Sequence, residues 1–544
     1  MQINTSLIQA QRDALIPILK PEIRIPWKIL CYDSYCEKRL STIYRVGDLR
    51  EMCITLHFNL DQNRERLHGV TAIYFIQPLQ SSIEKLVEDF NRDLYSEVYI
   101  NFSSPIENNL LEMMAKEISK ISGAVQKIQK VYEHNLDFVA LNHNFFNLEN
   151  QVVTGLFSII MALKVQPLIL FQKNSKIEQI AKELIEKLKQ LEFNSDYPLL
   201  AIILPDRDID LNTLIMHSNT YGALLHDTLN IKYNKVKLDD QVYDLSPQYD
   251  NLWLQACNMA LPEAIDKIDN ELNDWNSQYQ QVSQQNQEIS SALNAIDLVP
   301  QMNQQKKMVD SHINLAKQLT QIAKQKSLDK FYQLGQSILQ NDTLTINDYP
   351  QSEDNQIEQS KEIDKLRLLI LMLLNNYNQQ EFKKFEQIFQ IKNEKYLNIL
   401  SNFKQRVASN QNNKQQSVYK SLFAAITSKM PNSGKGLLKN VQNFLLQRGK
   451  KSAIVQMLEN LFLNELKIDE LQSILTMYDS RVKNISRLEF GLLSTIKGIL
   501  ICFTEGACYN EYAELSDFAK SINKVIIYGG NKIYNAEEFL TQFQ

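Results

Sequence analysis

Residues 199–229 read LLAIILPDRDIDLNTLIMHSNTYGALLHDTL, and how this stretch is parsed decides the fold. Leu199–Leu204 is a short, unbroken apolar run rich in Leu and Ile, the pattern of a strand buried on both faces of a parallel sheet. Pro205 ends it, and Asp206, Arg207, Asp208 and Asp210 follow at once. Beyond a turn holding Thr213 and His217, the residues Tyr221, Leu224, Leu225 and Leu229 take helical spacing and carry His226 and Asp227 with them. Charge crowded at the carboxyl end of a buried parallel strand marks either a ligand site or an internal polar cluster.

Spacing decides between the two. Asp206, Asp208 and Asp210 match the first three positions of a calcium loop. Such a loop then needs Gly at its sixth position and Glu at its twelfth, where this chain has Leu211 and His217. No Cys or Glu stands at zinc-ligand spacing from His217 or His226. The expectation is therefore structural, with Arg207 pairing buried or half-buried aspartates to pin strand to helix.

Working outward, 544 residues exceed what one core holds, and a net charge of -5 argues against nucleic acid as a partner. Six Cys without regular spacing fit reduced thiols. Only 14 residues are Gly, although phosphate-binding loops need Gly where backbone must approach the ligand. The one candidate, Ser433-Gly434-Lys435-Gly436, fails as such a loop. Lys429 stands where its first Gly belongs, and Gly436 where its Ser or Thr belongs. The most apolar window, Val152–Phe171, is broken by Lys164, Gln166 and Pro167, so it reads as helix, turn and strand rather than a membrane span.

Before the central stretch, strands are expected at Trp27–Tyr32, Val70–Ile76, Glu97–Ile100 and Leu136–Leu141, alternating with helices. One helix opens on a capping box, Ser81 to Glu84. Two more, at about 107–121 and 124–136, place Leu111, Met114, Ile128 and Val131 on faces that could meet, with Glu133 at the edge. Residues 1–150 thus read as one parallel-sheet α/β domain. A second begins near Gln151 but has too few strands before residue 250. Gly498–Phe503 and Lys524–Tyr528 supply the missing ones, so it is discontinuous, 151–250 plus 478–544.

Residues 251–477 are helical. A heptad stripe, Ile265, Ile268, Leu272, Trp275, Tyr279, Val282, Asn286, Ile289, Leu293 and Ile296, predicts a long helix that Pro300 breaks near Val299. A second helical run completes a hairpin over 263–340. A polar loop at 341–360, a linker at 409–417 and a basic amphipathic helix at 435–451 follow.

The central stretch resembles the signature of the SM (Sec/Munc-like, syntaxin-binding) family of vesicle-fusion proteins. It carries that signature as Asp206-Arg207, Asp210, Thr213, His217, Thr220-Tyr221, Ala223-Leu224 and His226-Asp227, with Leu214 where the family has Pro. The likeness continues in Arg45–Glu51, Asn59, Tyr74–Pro78, Phe138–Phe146 and Val299–Gln301. Ile527–Gly530 and Asn535–Leu540 are most similar to the ER–Golgi, Sly-type branch. The resemblance implies a three-domain arch of two small parallel-sheet α/β domains and a large helical domain with a long hairpin. It implies no catalysis and no cofactor. The implied partners are a syntaxin and other SNARE proteins, with peripheral membrane association through them, and neither nucleic acid nor a small-molecule substrate. The free protein would be a monomer, cytoplasmic and peripheral at ER–Golgi membranes. A syntaxin N-terminal peptide would take Leu111, Met114, Ile128, Val131 and Glu133. SNARE helices would dock on the hairpin at Trp275, Tyr279, Val282, Ile289 and Pro300. A hydrolase or transferase reading lacks a G-x-S-x-G elbow, a phosphate loop and a metal constellation. A coiled-coil vesicle tether or scaffold without SNARE templating stays open.

Overall fold

The computed structural model describes residues 6–21, 27–285, 289–340, 362–412, 451–463, 475–487 and 490–544. The expected loop at 341–360, residues 413–417 of the expected linker and the basic stretch up to Lys450 lie outside them; residues 409–412, expected as linker, continue the helix Glu394–Asn412. The chain forms two compact units. One comprises Met1–Asp206, Gln472–Glu505 and Lys524–Lys532; the other comprises Arg207–Leu471, Gly506–Asn523 and Ile533–Gln544.

The first unit contains two sheets. Strands β1 (Lys28–Tyr32), β2 (Ile54–Asn59), β3 (Thr71–Ile76), β4 (Glu97–Phe102) and β5 (Ile128–Glu133) are all parallel, in the order β2-β1-β3-β4-β5. Central β3, TAIYFI, is buried at every position, as a strand covered on both faces must be. Strand β2, ITLHFN, escaped the sequence reading because an edge strand needs no continuous apolar run. The expected capping box is absent. The helix Gln80–Asn91 starts earlier, on Leu79, and the Ser82 hydroxyl donates instead to Asp33 Oδ2 at 3.0 Å.

The second sheet has eight strands in the order β13-β12-β8-β9-β14-β15-β7-β6. They are β6 (Val139–Asn142), β7 (Phe145–Asn147), β8 (Gln166–Gln172), β9 (Leu199–Leu204), β12 (Leu475–Asp479), β13 (Asn484–Arg487), β14 (Gly498–Phe503) and β15 (Val525–Gly530). Strand β9 is fully buried between β8 and β14, parallel to both. The chain therefore returns after roughly 300 residues to complete the sheet, as the shortage of strands before residue 250 implied. The strand expected at Leu136–Leu141 in the first domain forms as β6 and, with β7, pairs into this sheet. Apolar alternation marks a strand but does not name its neighbour. The seat is fixed by Tyr528 N donating to Asn144 O and by Asn144 Nδ2 donating to Ile526 O. A Cβ on Gly529 would lie 2.3 Å from the Phe146 carbonyl oxygen, so this close approach of β15 to β7 requires glycine.

The second unit is mostly helical, with a small antiparallel pair, β10 (Lys235–Leu238) and β11 (Gln241–Asp244). The helix Tyr221–Leu229 forms as expected. The residues from Ile363 to Met372 of the helix Glu362–Leu374 are almost all buried in one core with Phe331, Phe385 and Phe403. Among the described residues no helix is long and apolar enough to cross a membrane. The hairpin consists of an ascending arm, Leu261–Gln285, packed on a descending arm, Ile289–Lys326. Pro300 lies inside the descending arm and does not end a helix at Val299. Its missing N–H leaves the Ile296 carbonyl without an intrahelical partner. The loss is one hydrogen bond in a 38-residue helix, and the expected break is not made.

Candidate functional site

The charged turn after β9 opens a buried polar cluster. Arg207, 2% exposed, meets Glu511 of the helix Tyr509–Ile522 with two parallel contacts: Nη2 to Oε1 at 2.5 Å and Nη1 to Oε2 at 3.1 Å. It also donates to the carbonyls of Gly506 (3.1 Å) and Asp210. Where aspartates were expected as its partners, the carboxylate that Arg207 grips with both terminal nitrogens is Glu511. Asp210 serves another purpose, accepting from Thr213 N (2.9 Å), Thr213 Oγ1 (2.8 Å) and Ala453 N (2.9 Å). Exposed Asp208 pairs with Arg406, and Asp206 is half-buried. Ser452 N, at the start of the helix Ala453–Phe462, donates to Glu514 Oε2 at 2.8 Å. Two carboxylates thus face one helix N-terminus, where free N–H groups favour negative charge. Burial, with Asp210 and Glu511 adding, pushes Glu514 up to about 7 against the hydrogen bonds from Ser452.

The second half of the signature is equally internal. His217 Nε2 lies 3.0 Å from Asp364 Oδ1 and stacks on Phe331. Burial and then Arg367 lower its pKa, opposed by Asp364 and Asp227. Arg367 donates to Ile215 O and Asp227 Oδ2, both at 2.7 Å. His226 packs on Tyr509, and burial lowers it to about 4 against Glu538 and Asp227, so it is neutral near pH 7. Tyr221 is fully buried against Trp253 and His312. Among the described residues no group of three or more His, Cys, Asp or Glu could hold a metal ion.

Exposed apolar surface occurs elsewhere. The helix Asn108–Ser119 is present, but the second expected helix is not. After the short turn Ala124–Lys127 the chain becomes β5, an edge strand paired only with β4. The segment IQKVYE carries Ile128, Val131 and Tyr132, residue types that suit a strand, and pairing with β4 outweighs the weak helical stripe. Met114 is 3% exposed and belongs to the core, with Ile128 packed against that core. Leu111 (37%) and Val131 (41%) do face solvent. Glu133 is exposed and accepts from Ile106 N at 2.8 Å. Val125 and Tyr132, not singled out from sequence, are exposed as well.

On the hairpin, Trp275 Nε1 donates to Met302 O at 2.8 Å, and its ring stacks on exposed Tyr279 and lies under Lys306. Val282 is half-buried, Pro300 is exposed, and the Ile289 side chain lies outside the described residues. Nearer the base, an open groove of about 470 Å³ runs between the arms, lined by Ile265, Ile268, Asp269, Ile313, Ala316 and Lys317 among others.

A family comparison matches residues 28–542 to the Sec1 family, spanning both sheets, the polar cluster and the hairpin. The chain belongs to the Sec1 family. As a Sec1-family chain it is 28% identical to the protein sly1 of Schizosaccharomyces pombe, over 95% of this chain and 92% of that one. It is 26% identical to the SEC1 family transport protein SLY1 of Encephalitozoon cuniculi, over 95% of each. Its fold is that of Sly1p as crystallised with an N-terminal peptide of Sed5p (TM-score 0.76, 23% identity, covering 99% and 98% of the two chains). The SM protein Vps45 in complex with the Qa SNARE Tlg2 has the same fold (TM-score 0.77, 19% identity, covering 100% and 98%). Within this Sec1-family chain, the residues that identify the family are mostly buried ties, not surface contacts.

Proposed function

We propose that this chain is a SNARE-binding regulator of vesicle docking and fusion in ER–Golgi transport. It binds a syntaxin-type SNARE and aligns SNARE helices along its hairpin so that they assemble in register. The observation that carries this reading is the Sec1-family match from residue 28 to 542, which leaves no large part of the chain to another activity. Support comes from the relatives, whose Sly1p and Vps45 members are solved with a Sed5p peptide and with the Qa SNARE Tlg2.

In this reading an N-terminal syntaxin peptide lies against Leu111 and Val131, the solvent-facing apolar members of the five residues singled out from sequence, with Tyr132 beside them. The hairpin face around Trp275, Tyr279 and Val282 and the groove below it take amphipathic helices, whose apolar stripes suit such surfaces. In this reading the five-stranded sheet, β1 to β5, and its helices take the peptide and the hairpin takes the SNARE helices; the expected boundaries at 150, 250 and 478 shift, because β6 and β7 join the eight-stranded sheet and residues 207–250 belong to the second unit. The activity is binding and alignment, without turnover, cofactor, nucleic acid or small-molecule substrate. The protein is a cytoplasmic monomer when free and reaches ER–Golgi membranes through its SNAREs. The test is titration of the purified protein with the cytosolic region of the organism's own ER–Golgi syntaxin, whole and without its N-terminal segment. Tight binding of the whole region, weakened tenfold or more by the truncation, is expected. Absence of binding to any SNARE would remove this reading and leave a scaffold.

A further inference from the structure

The descending arm is joined to the signature helix by a chain of three buried polar side chains. Tyr221 Oη lies 2.9 Å from His312 Nδ1, and His312 Nε2 lies 3.0 and 3.1 Å from the two oxygens of Asp250. Tyr221 and His312 are 0% exposed and Asp250 is 4% exposed. Asp250 also caps the helix Asn251–Ala256, accepting from Trp253 N at 2.8 Å. The Trp253 ring stacks over His312 and meets Tyr221 edge-on. Behind them the backbones touch. Tyr221 N donates to Met259 O and Gly222 N to Cys257 O, and a Cβ on Gly222 would fall 2.7 Å from that last oxygen.

One proton arrangement satisfies every member. Burial, with Asp250 and Cys257 adding, pushes the Tyr221 phenol far above its ordinary value, so its hydroxyl keeps its proton and donates to Nδ1. Nε2 then carries the ring proton and donates to the Asp250 carboxylate. The arrangement looks like an acid–base relay, but none of the three side chains lines the groove between the arms. A relay that no substrate reaches does no chemistry. What it does is hold one ring of the descending arm in one orientation.

We propose that Tyr221, His312 and Asp250 are positioning residues that set the angle at which the descending arm leaves the second unit, and hence the register of helices docked on the hairpin. This inference rests on the template reading above. At about 1.5 Å per residue, roughly 35 Å of the arm precedes His312, so a tilt of about 5° at this anchor moves the far end by about 3 Å. That is over half the 5.4 Å pitch of a docked helix, enough to misplace its apolar stripe. The signature helix thereby acquires a role at a distance: its Tyr221 aims the hairpin without touching a partner.

The test uses the full-length chain with Tyr221→Phe, which deletes one hydroxyl and keeps the ring. Two readouts are needed: hydrogen exchange of the free protein, and the assembly rate of the soluble domains of an ER–Golgi SNARE set from the same organism. The expected result is a tenfold or greater loss of amide protection confined to Met302–Asp310 and the facing part of the ascending arm. Assembly should slow severalfold, while affinity for the syntaxin N-terminal peptide stays unchanged. Asp250→Asn, which keeps a capping oxygen for Trp253 N, should reproduce the exchange pattern and serves alone if Tyr221→Phe does not fold. Unchanged exchange in the arm would overturn the proposal, as would a loss spread evenly over the whole unit. If wild type itself neither binds nor assembles SNAREs, the template reading falls, and the exchange pattern alone then decides whether these residues set the arm.

Discussion

The polar cluster after β9 and the face formed by the helix Asn108–Ser119 and β5 are opposites in how sequence maps to role. The cluster packs chemically conspicuous residues into two dozen positions; most of them are buried, and Arg207, Asp210, His217 and Asp227 each hold a polar partner within the fold. The peptide-binding face proposed here is built from Leu, Val and Tyr that stand out only because they are exposed at the edge of a sheet. A buried ion pair needs particular partners at particular places, so it leaves a dense, recognisable pattern. A docking surface needs only a few apolar side chains with room beside them, and many sequences supply that. Density of motif here reports constraint on the fold; the contacts with partners are sparse in sequence.

The strongest test of the contrast is Arg207→Ala. It leaves the Glu511 carboxylate buried without its guanidinium, and removal of one partner from a buried pair costs roughly 3–5 kcal/mol. Urea unfolding should show that loss in the midpoint. A variant that unfolds like wild type yet fails to bind a SNARE would turn the cluster into a contact site and erase the distinction.

Gly529→Ala comes next. Its Cβ would collide with the Phe146 backbone oxygen at 2.3 Å, and neither strand can yield without disturbing the sheet. A loss of roughly 1–3 kcal/mol is expected, the usual range for forced overpacking. The measurement is again an unfolding midpoint, with peptide binding by the surviving folded protein intact.

A pH series sharpens the cluster itself. Glu514 titrates near 7 in the fold against 4.5 in the unfolded chain, so the native state holds its proton more tightly. The stability this contributes is complete below pH 4.5 and is lost as pH rises through 7. His226 runs the other way: lowered from 6.5 to about 4, it contributes stability above 6.5 that is lost as pH falls towards 4. Glu514→Gln removes only the first slope. It should match wild type near pH 4 and exceed it at pH 8, by urea unfolding at both values. Equal stability at pH 8 would mean the carboxylate is already well solvated.

Much of the fold was legible because buried parallel strands announce themselves: Leu199–Leu204 could hardly be anything else, and the shortage of strands before residue 250 pointed to Gly498–Phe503 as part of the same sheet. What sequence could not supply was pairing at a distance. Arg207 finds Glu511 about 300 positions away, and nothing in either local pattern names the other. The strand expected at Leu136–Leu141 forms as β6 but joins the other sheet, because strand pattern fixes a face and not a neighbour. Pro300 misled for a different reason, since a proline costs one hydrogen bond and a long packed arm tolerates that. On the docking face, Met114 and Leu111 share one helical stripe in sequence, and only burial separates core from surface.

That separation yields the prediction with the smallest effect on stability. Val131 is 41% exposed on β5, so Val131→Asp should move the unfolding midpoint by no more than about 0.5 kcal/mol, as for other surface changes. Met114→Asp, three residues from Leu111 on the same helix but 3% exposed, should prevent stable folding, because a carboxylate would replace a core side chain with no partner. If the face takes a syntaxin N-terminal peptide, Val131→Asp should weaken peptide binding tenfold or more, about 1.4 kcal/mol, with the hairpin unaffected. Calorimetric titration with the isolated peptide reads this directly. An affinity equal to wild type would move the peptide off β5, and Leu111→Asp, exposed on the neighbouring helix, would then show whether the helix alone carries the contact.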